Sequence, residues 1–207
     1  MAIQAVLTGD IVNSTRLLPA TEKKLRAQLH RVLAAHRFEF YRGDSFQVYI
    51  KDAGMALQTA LLCRTAAIGL VPDAGRFSSD VRISIGIGKT KPPGKTLGTA
   101  TGQAFLLSGR AFDQLVKKDT RMAIVTTNEL ANEGLQVMAD YTNALLKMMT
   151  GKQAIVIFEL LKGKSQQMAA GKLKKSASTI SQHVNAGRWA ELEKLLRHYQ
   201  NIINQIT

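Results

Sequence analysis

The sequence predicts an α+β fold: a mixed α/β domain over residues 1–130 in β-α-β-β-α-β order, then a small all-helical domain over 131–207. Three observations carry that expectation. Val81, Ile83, Ile85 and Ile87 alternate strictly with Arg82, Ser84 and Gly86, the pattern of a half-buried strand. Leu25, Leu29, Val32 and Leu33 fall at i, i+4, i+7 and i+8, one face of a helix. Beyond Asn128 no strand signal recurs except the apolar run Ala154 to Phe158, whose surroundings favour helix.

In chain order, Ala5 to Ile11 is a short apolar, β-branched strand, and Asn13-Ser14-Thr15 supplies turn and cap chemistry. A helix runs from Thr21 to about His36. Phe38 to Tyr41 and Phe46 to Ile50 read as two strands joined by a tight turn at Arg42-Gly43-Asp44. Asp52 opens a second helix to about Gly69, with Ala56, Leu57, Ala60, Leu61 and Ile68 inward. Pro72 and Gly75 mark a loop before the Val81–Ile87 strand. Up to this point the order is the ferredoxin-like one. Lys89 to Thr101 is a loop with Pro92, Pro93, Gly94 and Gly98, followed by a helix from about Gly102 to Val116 and a strand over Met122 to Thr126.

The formal net charge is +13, which favours a polyanionic partner, nucleic acid or a nucleotide phosphate. Residues 151–207 concentrate it, with nine Lys/Arg against three acids. No apolar run is long enough to cross a membrane, and the start reads into Ala2-Ile3-Gln4 without a basic leader. The lone Cys63 lies in a helical stretch and reads as a buried thiol. A cytoplasmic protein is expected.

Two aspartates stand out. Asp10 ends the first strand and Asp44 lies in the hairpin turn, and in this fold the first strand neighbours the strand that follows the turn. Both carboxylates then reach one point at the sheet's edge, as Mg²⁺ and Mn²⁺ require of their oxygen ligands. The alternative stays open: turn aspartates more often bond their own backbone.

Thr8-Gly9-Asp10-Ile11-Val12-Asn13-Ser14-Thr15 resembles the first metal-binding strand of class III nucleotide cyclases, and Gly43-Asp44 their second metal-binding turn. Arg82-Ile83-Ser84-Ile85-Gly86-Ile87-Gly88 is similar to that family's Arg-x-Gly-Ile-x-x-Gly strand, and Gly102 to Arg110 to its Gly-x-x-Val-Asn-x-x-x-Arg helix. The resemblance implies a nucleotide-cyclase-type domain with Asp10, Asp44 and the Ile11 carbonyl as ligands of Mg²⁺ or Mn²⁺. If the domain is active, it makes Arg110 the catalytic group that meets the phosphates. The pattern is departed from at Leu106, where the family has its transition-state Asn, and at Phe38, which falls where adenylyl enzymes carry a base-selecting Lys beside Arg37. Thr99 aligns loosely with the family's loop partner for the base.

A match over the whole chain is to the SatD family: Thr8 to Ser14 and Gly43-Asp44-Ser45-Phe46-Gln47 resemble its segments, and many members end in a helix-turn-helix. Ser165 to Leu173 and Lys174 to Val184 are themselves similar to bacterial helix-turn-helix units. Ala170 is then the small residue at the helix crossing, Leu173 fills the gap, Ser176 caps the second helix, and Ile180 and Val184 face the core. That likeness points Ala177, Ser178, Ser181, Gln182 and Asn185 at a major groove, with Lys174, Lys175 and Arg188 near phosphates. The alternative is a plain helical tail with a solvated basic face. Trp189, Leu192, Leu196, Tyr199, Ile203 and Ile206 form a heptad seam that suits either internal packing or dimerisation.

The expected function is a DNA-binding transcription regulator, a homodimer, with a degenerate, inactive cyclase-like domain sensing a nucleotide or other phosphate ligand. The alternative is a divergent metal-dependent cyclase or phosphoryl-transfer enzyme. Lys89-Thr90 and Lys95-Thr96 lack the glycine spacing of a P-loop.

Overall fold

A computed structural model describes residues 3–41, 43–70, 79–94 and 96–206. The loop expected at Pro72 and Gly75, together with Arg42 and Lys95, lies outside the described residues.

Among the described residues, five strands form one sheet in the order β2-β3-β1-β4-β5: β1 (Ile3–Val12), β2 (Arg37–Tyr41), β3 (Ser45–Ile50), β4 (Asp80–Lys89) and β5 (Met122–Thr126). β1 is antiparallel to β3, from Ala5↔Ile50 to Asp10↔Ser45, and antiparallel to β4, from Ile3↔Lys89 to Val12↔Asp80. β5 extends the sheet parallel to β4. The first four strands thus have the ferredoxin-like order, with the first strand between the hairpin and β4.

β1 is flanked on both sides and covered on both faces, so Gln4 to Leu7 are all buried and the alternation is masked. Its Ala5, Leu7 and Ile11, with Val81, Ile83, Ile85 and Ile87 of β4, pack on α1 (Pro19–Leu33) and α2 (Ala56–Ile68). The opposite face carries α3 (Gln103–Lys118). α3 lies so close on β4 that a Cβ at Gly86 would come within 2.3 Å of the Ala104 carbonyl oxygen and the Ser108 nitrogen. Only glycine fits there.

α2 buries Arg64, 1% exposed, among apolar neighbours. Its guanidinium is hydrogen-bonded from each nitrogen: Nε and Nη2 donate to both oxygens of Asp80 at 3.0 and 2.7 Å, and Nη1 donates to Asn143 Oδ1 at 3.0 Å. The fork geometry ties the start of β4 to α2, and the third bond ties α2 to Asn143.

The described residues after β5 are mainly helical: α4 (Glu129–Met148), α5 (Gly151–Leu161), α6 (Gln166–Leu173), α7 (Ala177–Ala186) and α8 (Trp189–Ile206). Side chains set their starts. Asn128 caps α4, Thr150 and Gln153 form a capping box on α5, and Ser165 and Ser176 cap α6 and α7.

These helices share one core with the sheet: Leu135, Ile157, Ile180, Leu192 and Tyr199 belong to the same buried cluster as Leu57 and Leu61. Tyr199 closes it by donating to the Ala53 carbonyl at 2.8 Å. The heptad seam of α8 is therefore used within the chain, with Leu192, Leu195, Tyr199 and Ile203 buried. The fully buried alanine of α6 is Ala169; Ala170, expected at the crossing, is half-buried and packs against the core's edge. No helix among the described residues is long and apolar enough to cross a membrane.

Candidate functional site

Alternation along β1 and β4 decides what lines the α3 face. Ala5, Leu7 and Ile11 are spent on the helical core, which leaves Thr8, Asp10, Arg82 and Ser84 on the other side. Ser108 Oγ of α3 donates to Thr8 Oγ1 at 2.7 Å, and Ser84 Oγ donates to the Ser108 carbonyl at 2.7 Å. This hydroxyl layer floors a cluster of charges at the C-terminal end of β1.

The two aspartates meet there. Asp10 pairs in register with Ser45, the residue after Asp44, and the Ile11 N–H donates to the Asp44 carbonyl at 3.1 Å. The turn that presents Asp44 relies on Gly43, whose φ of 89° favours glycine. Ser14 Oγ donates to Asp44 Oδ2 at 2.6 Å and Ser45 Oγ to Oδ1 at 3.4 Å, so the turn aspartate is oriented by hydroxyls from both flanks.

Arg82 was not legible as a partner in this site. Its Nη1 donates to Asp10 Oδ2 at 3.1 Å, its Nε donates to the Thr120 carbonyl at 3.3 Å, and its Nη2 lies 3.7 Å from Asp119. Arg121 pairs with Asp119 at 2.7 Å behind it. The other oxygen of Asp10, Oδ1, is buried and has no hydrogen-bond partner. Burial raises the Asp10 carboxyl above its usual range; Arg82 opposes this, and the nearby charge of Asp44 adds to it.

An orphaned, buried carboxylate oxygen beside a second carboxylate suits the donor chemistry of Mg²⁺ or Mn²⁺, which take one or two carboxylates and keep several waters. No group of three or more His, Cys, Asp or Glu side chains converges among the described residues, so these residues form an open site with two carboxylates and no closed cage. Ile11, expected to lend its carbonyl, is 2% exposed and pairs in register with Val81 of β4.

Arg110 stands elsewhere. It is exposed on α3 and lines a shallow depression with Leu107, Asp113, Gln114, Lys117 and Val125, on the β5 side of the helix. Leu106 is 52% exposed. Phe38 turns to the helical face, its ring 5.1 Å from that of His30. Arg37 donates to the Pro93 carbonyl at 2.7 Å and to that of Gly94, and Glu39 accepts from the Leu97 N–H at 2.7 Å. Thr99 bonds Thr96 at 2.8 Å. β2 thus fastens the loop before α3.

The second candidate region is the α6–turn–α7 unit. Lys174 takes a left-handed φ of 53°, a conformation glycine favours, and its N–H bonds back to α6, closing the helix. Ile180 and Val184 are buried, while Ala177, Ser178, Ser181, Gln182 and Asn185 are exposed. Lys174, Lys175 and Arg188 are exposed as well, and Arg188 pairs with Glu191 at 3.3 Å. Lys172 and Lys164 are committed inward: they lie 2.6 and 2.7 Å from the oxygens of Glu159, a carboxylate 5% exposed on α5. Burial alone would raise the Glu159 carboxyl; the two lysines hold it below its usual range. Cys63 is buried, and burial pushes its thiol up.

No family model matches the chain, and no curated protein does. Among solved structures, one described as a bacterial light-regulated adenylyl cyclase aligns with 60% of this chain at 14% identity and a TM-score of 0.40. The aligned part spans 43% of that structure's length, less than half. A second structure of the same description aligns with 59% of this chain and 74% of its own, at 15% identity and a TM-score of 0.42.

Proposed function

We propose that the chain is a DNA-binding regulatory protein in which α7 reads a major groove and the Asp10–Asp44 site senses a cation-bound phosphate ligand. The observation that carries the reading is the division of α7: Ile180 and Val184 anchor one side, and the opposite side offers a contiguous exposed row of small and amide side chains. Ser181, Gln182 and Asn185 supply both donors and acceptors, which base edges require. Lys174 and Lys175 sit at the start of that row in reach of a phosphate backbone.

Coupling between the two regions has a physical route. α5 packs on α2 of the sheet layer and holds α6 through Glu159 and Lys172. A ligand at Asp10 and Asp44 alters DNA affinity if it binds two arrangements of these layers unequally. A divalent cation at the site would neutralise ligand phosphate charge; Ser14 and Ser45 orient Asp44, and Arg82 orients Asp10.

The experiment is a fluorescence-anisotropy titration of duplex DNA from about 50 to 200 mM salt. Binding that weakens steeply with salt is expected, with a slope of roughly 0.9 per phosphate contact, and Lys174→Ala with Lys175→Ala is expected to reduce that slope by about 2. Salt-insensitive binding, or full binding by the double variant, contradicts the reading.

The orphaned Asp10 Oδ1 beside Asp44 also favours a second reading, a divergent metal-dependent cyclase or phosphoryl-transfer enzyme. Incubation with Mn²⁺ and each ribonucleoside triphosphate tests it: a cyclic product lost in Asp10→Ala, Asp44→Ala makes this an enzyme, and no product rejects cyclase activity.

A further inference from the structure

α4 has more apolar surface than its own core uses. Leu135, Met138, Ala139, Leu145 and Leu146 are buried against the sheet and α8. Yet Leu130, Val137, Tyr141 and Met148 are also apolar or aromatic, at 85, 68, 45 and 74% exposure. With Gly134 and Ala144, both exposed, they recur at alternating steps of four and three residues. At 3.6 residues per turn these six positions stay within about 40° of one line along the helix. That is the seam of a two-helix contact, laid beside the buried face and facing solvent.

We infer that this face of α4 pairs antiparallel with the same face of a second copy of the chain. An antiparallel arrangement about a two-fold axis near Ala139 sets Leu130 opposite the second copy's Met148, Val137 opposite its Tyr141, and Gly134 opposite its Ala144. Large side chains then meet large ones, and the two smallest meet where the backbones come closest. The charges agree. Glu133, Asp140 and Lys147 run along one flank of the seam, and the two-fold axis brings Glu133 of each copy to Lys147 of the other. A parallel pair would instead set this flank against Ala131, Met138 and Leu145, the last two of which are already buried in their own core. At the axis Asp140 approaches the second copy's Asp140, a like-charge contact that opposes the pairing, and Gln136 donates to it at 3.0 Å.

The flank's two acids and single lysine disfavour a polyanion as occupant of the stripe. The pairing does not require the DNA reading, but it has a consequence for it. Met148 borders a groove with Asn185 and Arg188 at the end of α7. Antiparallel pairing separates the two Met148 ends by about 27 Å along the helices, at about 1.5 Å per residue. That approaches the roughly 34 Å between half-sites on adjacent turns.

Sedimentation velocity of the full chain over a concentration series tests the inference. A concentration-dependent dimer is expected, and Val137→Glu with Tyr141→Glu is expected to give a monomer whose circular dichroism is unchanged. Leu130→Cys and Met148→Cys report the direction: oxidised together they should form a mixed disulfide dimer, whereas neither should cross-link alone. A monomeric native chain, or a dimer indifferent to the glutamates, overturns the proposal. Cross-linking of Leu130→Cys to itself overturns the antiparallel arrangement. These readouts need no DNA, so this inference and the proposed function fail separately.

Discussion

Arg82 satisfies one half of the Asp10 carboxylate and leaves the other half bare: Nη1 donates to Oδ2 at 3.1 Å while Oδ1 is buried without a partner. A structural ion pair shielded from water is normally completed by further hydrogen bonds. Here the second oxygen has no such bond, and the net result is a carboxyl held above its usual range, by burial first and by the nearby charge of Asp44 as well. That incomplete pairing is what distinguishes this site from an ordinary surface contact.

The pH dependence follows from its sign. A carboxyl whose folded pKa is raised favours folding below its unfolded value, near 3.9, and that contribution is lost as pH rises through the folded pKa. Asp10→Asn cannot ionise, so its stability relative to the native chain is expected to improve between about pH 4 and 7. Thermal melts over that range check this. A relative stability that stays flat, or falls with rising pH, contradicts the assignment.

Divalent cation should reverse the same penalty. Mn²⁺ in excess is expected to raise the melting temperature of the native chain, with a stabilisation of about 2.7 kcal/mol at a hundredfold excess over its dissociation constant. Asp10→Asn with Asp44→Asn should abolish the shift. An equal shift in that variant would place the cation elsewhere.

Arg64 is a structural charge, and its loss should be expensive. Arg64→Ala leaves the Asp80 carboxylate, 17% exposed, without its fork and empties a packed site. A loss on the order of 3–5 kcal/mol is expected in urea denaturation. A change under about 1 kcal/mol would mean that the buried network contributes little.

On α7 the readers and the positioners should separate. Gln182→Ala is expected to cost about 1–3 kcal/mol on a selected site and to relax preference at one base pair. Lys175→Ala should weaken all duplexes alike. Competition titrations with selected and scrambled duplexes distinguish the two, and identical behaviour of both variants would contradict the orientation of α7.

The strands were legible because period-two alternation is local, as in Val81 to Ile87, and so was the cap at Ser176. The pairing of Arg82 with Asp10 was not, because it depends on register between strands 72 residues apart. Alternation did place Arg82 on the same face as Ser84 and Gly86, which was the available signal. Arg64 hid in an apolar helix where only burial makes it visible. The α8 seam suited either packing or pairing, and the structure buries it in the chain's own core. The stripe on α4 has the converse character: its spacing reads as core, and the structure leaves it in solvent.

Whether α7 and its preceding turn form a DNA-reading surface is read directly from backbone amide shifts on addition of a short duplex. Perturbations concentrated at Lys174, Lys175 and along Ala177 to Asn185, fading at high salt, are expected. Perturbations confined to the sheet domain, or none at low salt, would contradict it.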